Sequence, residues 1–265
     1  MHRVRSLGFL SALTLALGLA ACSDDDITDP STDPNVDADL ATAIGVATVQ
    51  DAGLFSNPGF ISGNIGTGNE FNLSNCTFTQ SSSRFECPSE TSGGFTLTRS
   101  YSFTDANGTV LNTFNPATVA GFNVRSRVTG GASMGTSWTG TVDLNRDFSV
   151  TGVSPTSTSW TWNGSGSSSI TTSRVTAGGD TRTYNLQWTT DVDDVTIGYP
   201  LTAGSFPTSG TITRNVTATF VGGDFDGQTV TRTVTVTFTG NQTATLKIGT
   251  GTWNLNLATG AVTKV

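Results

Sequence analysis

Apolar and hydroxyl side chains alternate in short runs from about residue 70 to the C-terminus. The run 211–220, TITRNVTATF, is followed by a similar run at 229–238, TVTRTVTVTF, and the turn-forming segment VGGDFDGQ separates them. A period of two predicts β-strands with one apolar and one polar face. We therefore predict that these two runs form a hairpin, and that about a dozen such strands follow one another along the chain.

A single segment ahead of the strands has a helical pattern. Four small or apolar residues recur there at helical spacing: Leu40, Ala43, Ile44 and Ala47. This spacing predicts one short helix over residues 39–51, with Asp37 or Asp39 as its N-cap. The sequence offers no second helical segment for crossovers between parallel strands, so we expect an antiparallel sheet.

The predicted sheet has one apolar face, and a sheet of so many strands must bury that face. Successive hairpins favour an all-β fold: a large antiparallel meander curled into a barrel or half-barrel, with the helix over its apolar concavity. A β-sandwich is the alternative. In either case we predict a single all-β domain over residues 38–265.

Arginines interrupt the apolar faces of four predicted strands. They are Arg99, Arg182, Arg214 and Arg232. Guanidinium groups facing one cavity would bind a carboxylate or phosphate, which makes Arg214 and Arg232 candidate ligand-binding residues. In the predicted hairpin, however, Arg214 lies far from the loop and Arg232 beside it. That placement favours charges that reach out to opposite rims, near acids such as Asp180 or Asp226.

Two tryptophans form the other candidate ligand site. Trp160 and Trp162 share one face of a strand in a stretch rich in serine and glycine. Exposed indole rings could stack on sugar rings, as in carbohydrate-binding modules. The alternation of these residues with polar neighbours instead favours core packing.

Two cysteines, Cys76 and Cys87, flank two short alternating runs around a serine turn. This arrangement suits a disulfide across a hairpin in an exported protein. We do not expect the pair to bind a metal, because no histidine and no third thiol is available nearby.

The first residues have the pattern of an export signal. Arg3 and Arg5 precede an apolar stretch that is short for a membrane span, and small residues lead to Cys22. The sequence Leu19-Ala20-Ala21-Cys22 resembles the lipobox of bacterial lipoproteins. The resemblance implies cleavage of a signal peptide, residues 1–21, before Cys22.

The same resemblance implies that Cys22 becomes an acylated first residue, carrying palmitate-type chains that hold the protein to a membrane. Ser23 after the cysteine implies transfer to the outer membrane in such families. The domain would then face the periplasm or the cell surface. Residues 22–37, which are acidic and rich in Pro, Ser and Thr, are predicted to form a disordered tether.

Composition excludes several functions. The formal net charge of −7 argues against binding to nucleic acid. The one histidine, His2, lies in the predicted signal peptide, so the mature chain has no histidine for a catalytic triad or a metal site. We predict no catalytic residues, no metal and no cofactor.

These observations predict a non-enzymatic lipoprotein of the cell envelope with a binding or surface-structural role. An apolar concavity under the curled sheet could hold a hydrophobic ligand. The alternative is an adhesin or a carbohydrate-binding module. The sequence does not determine the oligomeric state.

Replacement of Cys22 tests the predicted anchor. Cells that express the full chain in the presence of an alkyne-labelled palmitate should attach the label to the wild-type protein and not to Cys22→Ala. The label should be absent from the variant because it lacks the residue that carries the acyl chains. A labelled Cys22→Ala protein would contradict the lipobox assignment.

Overall fold

The computed structural model describes residues 29–56, 73, 75–92, 94–133, 139–175, 181–201 and 204–265. The predicted signal peptide, Cys22 and residues 22–28 of the predicted tether lie outside these ranges.

The described chain contains one α-helix, α1 (Pro34–Ser56), preceded by a short 3-10 helix, Pro30–Thr32. The remaining elements are strands. They are β1 (Thr77–Thr79), β2 (Arg84–Glu86), β3 (Glu90–Ser92), β4 (Phe95–Thr104), β5 (Val110–Leu111), β6 (Gly121–Ser133), β7 (Thr139–Thr151), β8 (Ser159–Val175), β9 (Thr181–Gly198), β10 (Pro207–Val221), β11 (Thr229–Thr237), β12 (Thr243–Ile248), β13 (Gly251–Asn256) and β14 (Val262–Lys264).

These strands form one antiparallel sheet of 14 strands in the order β1-β2-β4-β6-β7-β8-β9-β10-β11-β12-β13-β14. The short strands β3 and β5 pair with β4 beside β2. From β6 onward each strand pairs with its neighbour in sequence, so the predicted all-β meander is confirmed. The sheet is not closed into a barrel.

The predicted hairpin of the two threonine-rich runs is confirmed as β10–β11. Its register pairs Thr211 with Thr237 and Thr219 with Thr229. Alternation therefore directs one face of both strands into the core and the other, threonine-rich face outward.

The sheet curves around α1. The Phe55 ring, near the end of the helix, lies 5.8 Å from the Phe148 ring on β7 and 6.5 Å from the Phe238 ring just after β11. In a flat sheet β7 and β11 would be roughly 19 Å apart, at about 4.8 Å per strand. One side chain reaches both sides only because the sheet curls around it, as a half-barrel does.

The helix is longer than predicted and begins earlier. Asp33, not Asp37 or Asp39, lies at its N-terminus, where the Asp33 carboxylate accepts a hydrogen bond of 2.8 Å from the backbone N–H of Asn35. Pro34 occupies the first helical position, which proline favours because its missing N–H is not needed there. Residues 29–37, part of the predicted tether, are therefore folded onto the sheet.

A wide stripe of α1 is buried, because the curled sheet covers more than one side of the helix. Val36, Leu40, Ile44 and Phe55 have at most 1% of their surface exposed. They join the apolar side chains of the sheet in one hydrophobic cluster.

The cysteine pair closes the β1–β2 hairpin, as predicted. The sulfur atoms of Cys76 and Cys87 are 2.01 Å apart. Three cross-strand pairs, from Thr77–Glu86 to Thr79–Arg84, lie between the bridge and the serine turn.

Two glycines of α1 provide a matched test of how closely the helix packs. A Cβ atom at Gly45 would lie 2.6 Å from the backbone oxygen of Gly260, whereas a Cβ at Gly53 would meet nothing within 4 Å. Gly45→Ala should lower the free energy of unfolding by about 1–3 kcal/mol. Gly53→Ala should raise it by up to about 1 kcal/mol, since alanine is the better helix former.

Urea unfolding followed by tryptophan fluorescence measures both changes. Equal effects of the two substitutions would contradict the close contact between α1 and the turn after β13.

Candidate functional site

Two of the four arginines predicted on apolar faces pair with acids of the N-terminal segment. Arg182 lies 2.7 Å from Asp33, and Arg232 lies 2.8 Å from Asp37. The sequence suggests Asp180 or Asp226 as partners, and neither residue takes part in these two pairs. Asp180 lies outside the described residues. Arg182 and Arg232 thus bind the protein's own helical segment, whereas Arg99 on β4 pairs with Glu90 of the short strand β3.

The most deeply buried ion pairs between the sheet and the helix involve Asp51 of α1. Its carboxylate accepts a hydrogen bond of 2.6 Å from Nη2 of Arg214 on β10, and one of 2.7 Å from Nε of Arg146 on β7. Arg214 also donates to the Thr48 hydroxyl at 2.9 Å, and Arg146 donates to the Ser168 hydroxyl at 3.0 Å. One carboxylate therefore joins two strands that are not neighbours.

Arg214 is fully buried, with 0% of its surface exposed, so the rim hypothesis is wrong for this residue. Burial lowers its pKa to about 10, because removal from water disfavours the cation and Asp51 offsets that cost only in part. The guanidinium still carries its charge at neutral pH. Two cations thus share one buried anion in this cluster.

Gly166 on β8 makes room for the Arg146 side chain. A Cβ atom at Gly166 would lie 2.9 Å from Cδ of Arg146, which passes beneath β8 on its way to Asp51. The Arg146 guanidinium also donates to the backbone oxygen of Ser167 on β8. The glycine is therefore part of the ionic site, although it carries no functional group.

A hydrogen bond from a tyrosine adds a further polar contact between helix and sheet. The Tyr184 hydroxyl on β9 donates to the Asp39 carboxylate at 2.6 Å. Burial, together with the nearby Asp39 carboxylate, raises the pKa of Tyr184. The phenol therefore keeps its proton and remains a donor.

The two candidate tryptophans lie in the core. Trp160 stacks on Tyr199 at 4.9 Å, and Trp162 contacts Phe55 at 5.1 Å. Their exposed fractions are 4% and 0%. Contrary to the glycan hypothesis for these residues, the structure leaves neither ring face open for stacking on a sugar.

The opposite, outer face of the sheet carries two open cavities of about 700 and 410 Å³. Both are lined by Asn145 and Ser167, so the cavities adjoin. One row of exposed polar residues, matched in register across six strands, runs along both. The row is Thr98, Arg127, Asn145, Ser167, Thr189 and Asn215. We call this combined depression the outer groove.

Short side chains form the floor of the outer groove on β8. Ser165, Ser167 and Ser169 point outward at alternate positions. Their hydroxyls make no hydrogen bond to another described residue, and they are exposed. The neighbouring strands carry amide side chains at the paired positions, Asn145 opposite Ser167 and Gln187 opposite Ser169.

Two ion pairs form one wall of the outer groove. Arg125 lies 2.8 Å from Asp147, and Arg127 lies 2.7 Å from Asp143. The hydrogen bonds from Arg127 lower the pKa of Asp143. At Asp147 burial acts to raise the pKa of the carboxyl group. The hydrogen bonds from Asn123 and Arg125 outweigh burial and lower this pKa. Both carboxylates therefore remain ionised at neutral pH.

In the described ranges, no three His, Cys, Asp or Glu side chains lie close enough together to hold a metal ion. The described part of the chain also contains no helix with the length and apolar character needed to cross a membrane. The prediction that the protein has no metal and no cofactor remains a prediction.

Comparison with protein-family models, with curated proteins and with solved structures found no significant match to this chain.

Sequence reasoning placed four arginines on apolar faces but missed their partners and missed Arg146. The signal for Arg146 was present, because Leu144, Arg146 and Phe148 alternate on one face of a strand. The outer groove gave no motif, since its residues come from six strands.

The same substitution at two positions of α1 tests the buried ionic cluster. Asp51→Asn leaves two buried cations without a counter-charge and should lower the free energy of unfolding by about 3–5 kcal/mol. Asp37→Asn breaks one partly exposed pair and should cost at most about 1 kcal/mol. Urea titrations of the two variants make the comparison.

A second substitution shows whether the loss of stability comes from the unpaired buried cations. Adding Arg214→Met to Asp51→Asn removes one of the two unpaired cations and should recover part of the stability. If Asp51→Asn cost no more than Asp37→Asn, the cluster would not hold the helix to the sheet.

Proposed function

We propose that this protein is a lipid-anchored, non-enzymatic protein of the bacterial cell envelope that binds its partner through the outer face of its sheet. The observation that carries the proposal is the position of α1. The helix fills the apolar concavity, whereas two open cavities with polar groups available to a partner lie on the outer face of the described sheet.

The inner face offers little to a hydrophobic ligand while α1 is in place. Leu40, Ile44 and Phe55 occupy the positions that an acyl chain or other apolar ligand would take, and they are buried to 1% exposure or less. A carrier role would need the helix to leave the sheet. That movement would expose the apolar face and separate Asp51 from Arg146 and Arg214.

The anchor is supported by the sequence at Cys22. Because the folded segment already begins at about residue 29, the proposed tether is short. Residues 22–28 reach at most about 25 Å when fully extended, at roughly 3.3–3.6 Å per residue. An anchored domain would therefore stay close to the membrane surface, with its helical segment nearest the attachment point.

The absence of histidine after position 2 supports a binding role over catalysis, since general acid–base chemistry near neutral pH most often uses an imidazole. The outer groove contains carboxylates, but Asp143 and Asp147 are held as anions by arginines. They lack the raised pKa that a general acid needs.

Native mass spectrometry of the full chain, extracted from membranes in detergent, tests this proposal. We expect the mass of the mature polypeptide plus its acyl groups, with no further apolar adduct. A reproducible lipid-like adduct on both wild type and Cys22→Ala would contradict binding at the outer face and would favour a carrier whose helix can be displaced.

A further inference from the structure

We infer that the outer groove binds an extended, neutral oligosaccharide chain. This inference rests on the proposed function and gives it a ligand class. It depends on the length of the groove, the hydrogen-bonding groups along it and the balance of its charges.

The groove has the dimensions of a site for a chain rather than for a single sugar. The row from Thr98 on β4 to Asn215 on β10 crosses six strands. At about 4.8 Å between strands, this path is roughly 24 Å long. The two adjoining cavities, about 700 and 410 Å³, lie end to end along it.

The groups along the groove match sugar hydroxyls, each of which both donates and accepts a hydrogen bond. The free hydroxyls of Ser165, Ser167 and Ser169 have the same dual capacity. The amides of Gln187 and Asn145 add donors and acceptors on either side of this serine floor. A polyhydroxyl chain could therefore satisfy these groups without leaving charges unpaired.

Charge favours a neutral chain. The two arginines and the two aspartates of the groove wall already pair with one another. The protein as a whole carries a formal charge of −7, so an acidic polymer would be repelled on approach. A neutral chain avoids that repulsion and can accept hydrogen bonds from Arg127 atoms that Asp143 leaves free.

A peptide strand fits this surface less well. Peptides that add to a sheet pair with the backbone of an edge strand. The groove instead crosses the middle of the sheet, where β7, β8 and β9 are already paired on both sides. The ligand must therefore be bound through side chains.

Recognition by hydrogen bonds without aromatic stacking predicts weak single-site binding, with a dissociation constant of roughly 1 mM. Many copies anchored in one membrane would still hold a polymer firmly, because each further contact with the same chain is intramolecular. Weak individual sites thus suit a protein displayed on a surface.

The experiment titrates the full wild-type chain, held in a detergent without a sugar head group, with four neutral hexasaccharides: cellohexaose, maltohexaose, laminarihexaose and mannohexaose. Hexagalacturonic acid is the acidic comparison. Saturation-transfer-difference NMR detects contact, and calorimetric titration gives the affinity. We expect binding of at least one neutral probe and none of the acidic one.

Two tyrosine substitutions locate the site. Ser167→Tyr places a large ring on the groove floor and should weaken binding by at least about tenfold, the equivalent of 1.4 kcal/mol. Thr237→Tyr places the same ring on the same face of β11, outside the groove, and should leave the affinity unchanged. Tyrosine is well accepted in strands, and urea unfolding checks that both variants are folded.

Each outcome separates the inference from the proposed function. Binding that survives Ser167→Tyr, or binding of the acidic probe alone, would overturn the inference and leave an outer-face binding role intact. The absence of binding to every neutral probe would also overturn it. A lipid-like adduct in the native mass would instead refute the proposed function itself.

Discussion

The buried carboxylate of Asp51 between Arg146 and Arg214 is the interaction on which the rest of the structure depends. An unpaired charge at such depth costs several kcal/mol, so each arginine requires the helix to be present. The helix in turn needs the curled sheet to cover its wide apolar stripe. Charge and apolar burial therefore place α1 in one position on the inner face of the sheet.

This placement determines which surface is open to a partner. Apolar burial stabilises the domain by filling the concavity with Leu40, Ile44 and Phe55, and that same filling removes the space for a hydrophobic ligand. The outer face carries exposed polar groups across six strands. The concave side of the curled sheet is thus occupied by the protein's own chain.

Local patterns predicted the elements whose partners are close in sequence. The β10–β11 hairpin follows from alternation around a glycine-rich turn, and the Cys76–Cys87 bridge follows from a short hairpin, with a sequence separation of 11. The N-terminus of α1 differs from the prediction for a local reason too: the composition around Pro34 predicts a disordered tether, although proline is favoured at a first helical position. The lipid anchor at Cys22 remains a prediction from the sequence alone.

The sequence by itself determined the all-β class, the strand alternation and the arginines on apolar faces, because these depend on neighbouring residues. Only the tertiary structure decided that Arg214 shares the Asp51 carboxylate with Arg146, since Asp51 is 163 residues from Arg214 and 95 from Arg146. The tertiary structure also decided that Trp160 and Trp162 are buried. It likewise decided that one row of polar residues is matched in register across six strands. Curvature and register bring distant residues together, and no local pattern specifies how far a sheet curls.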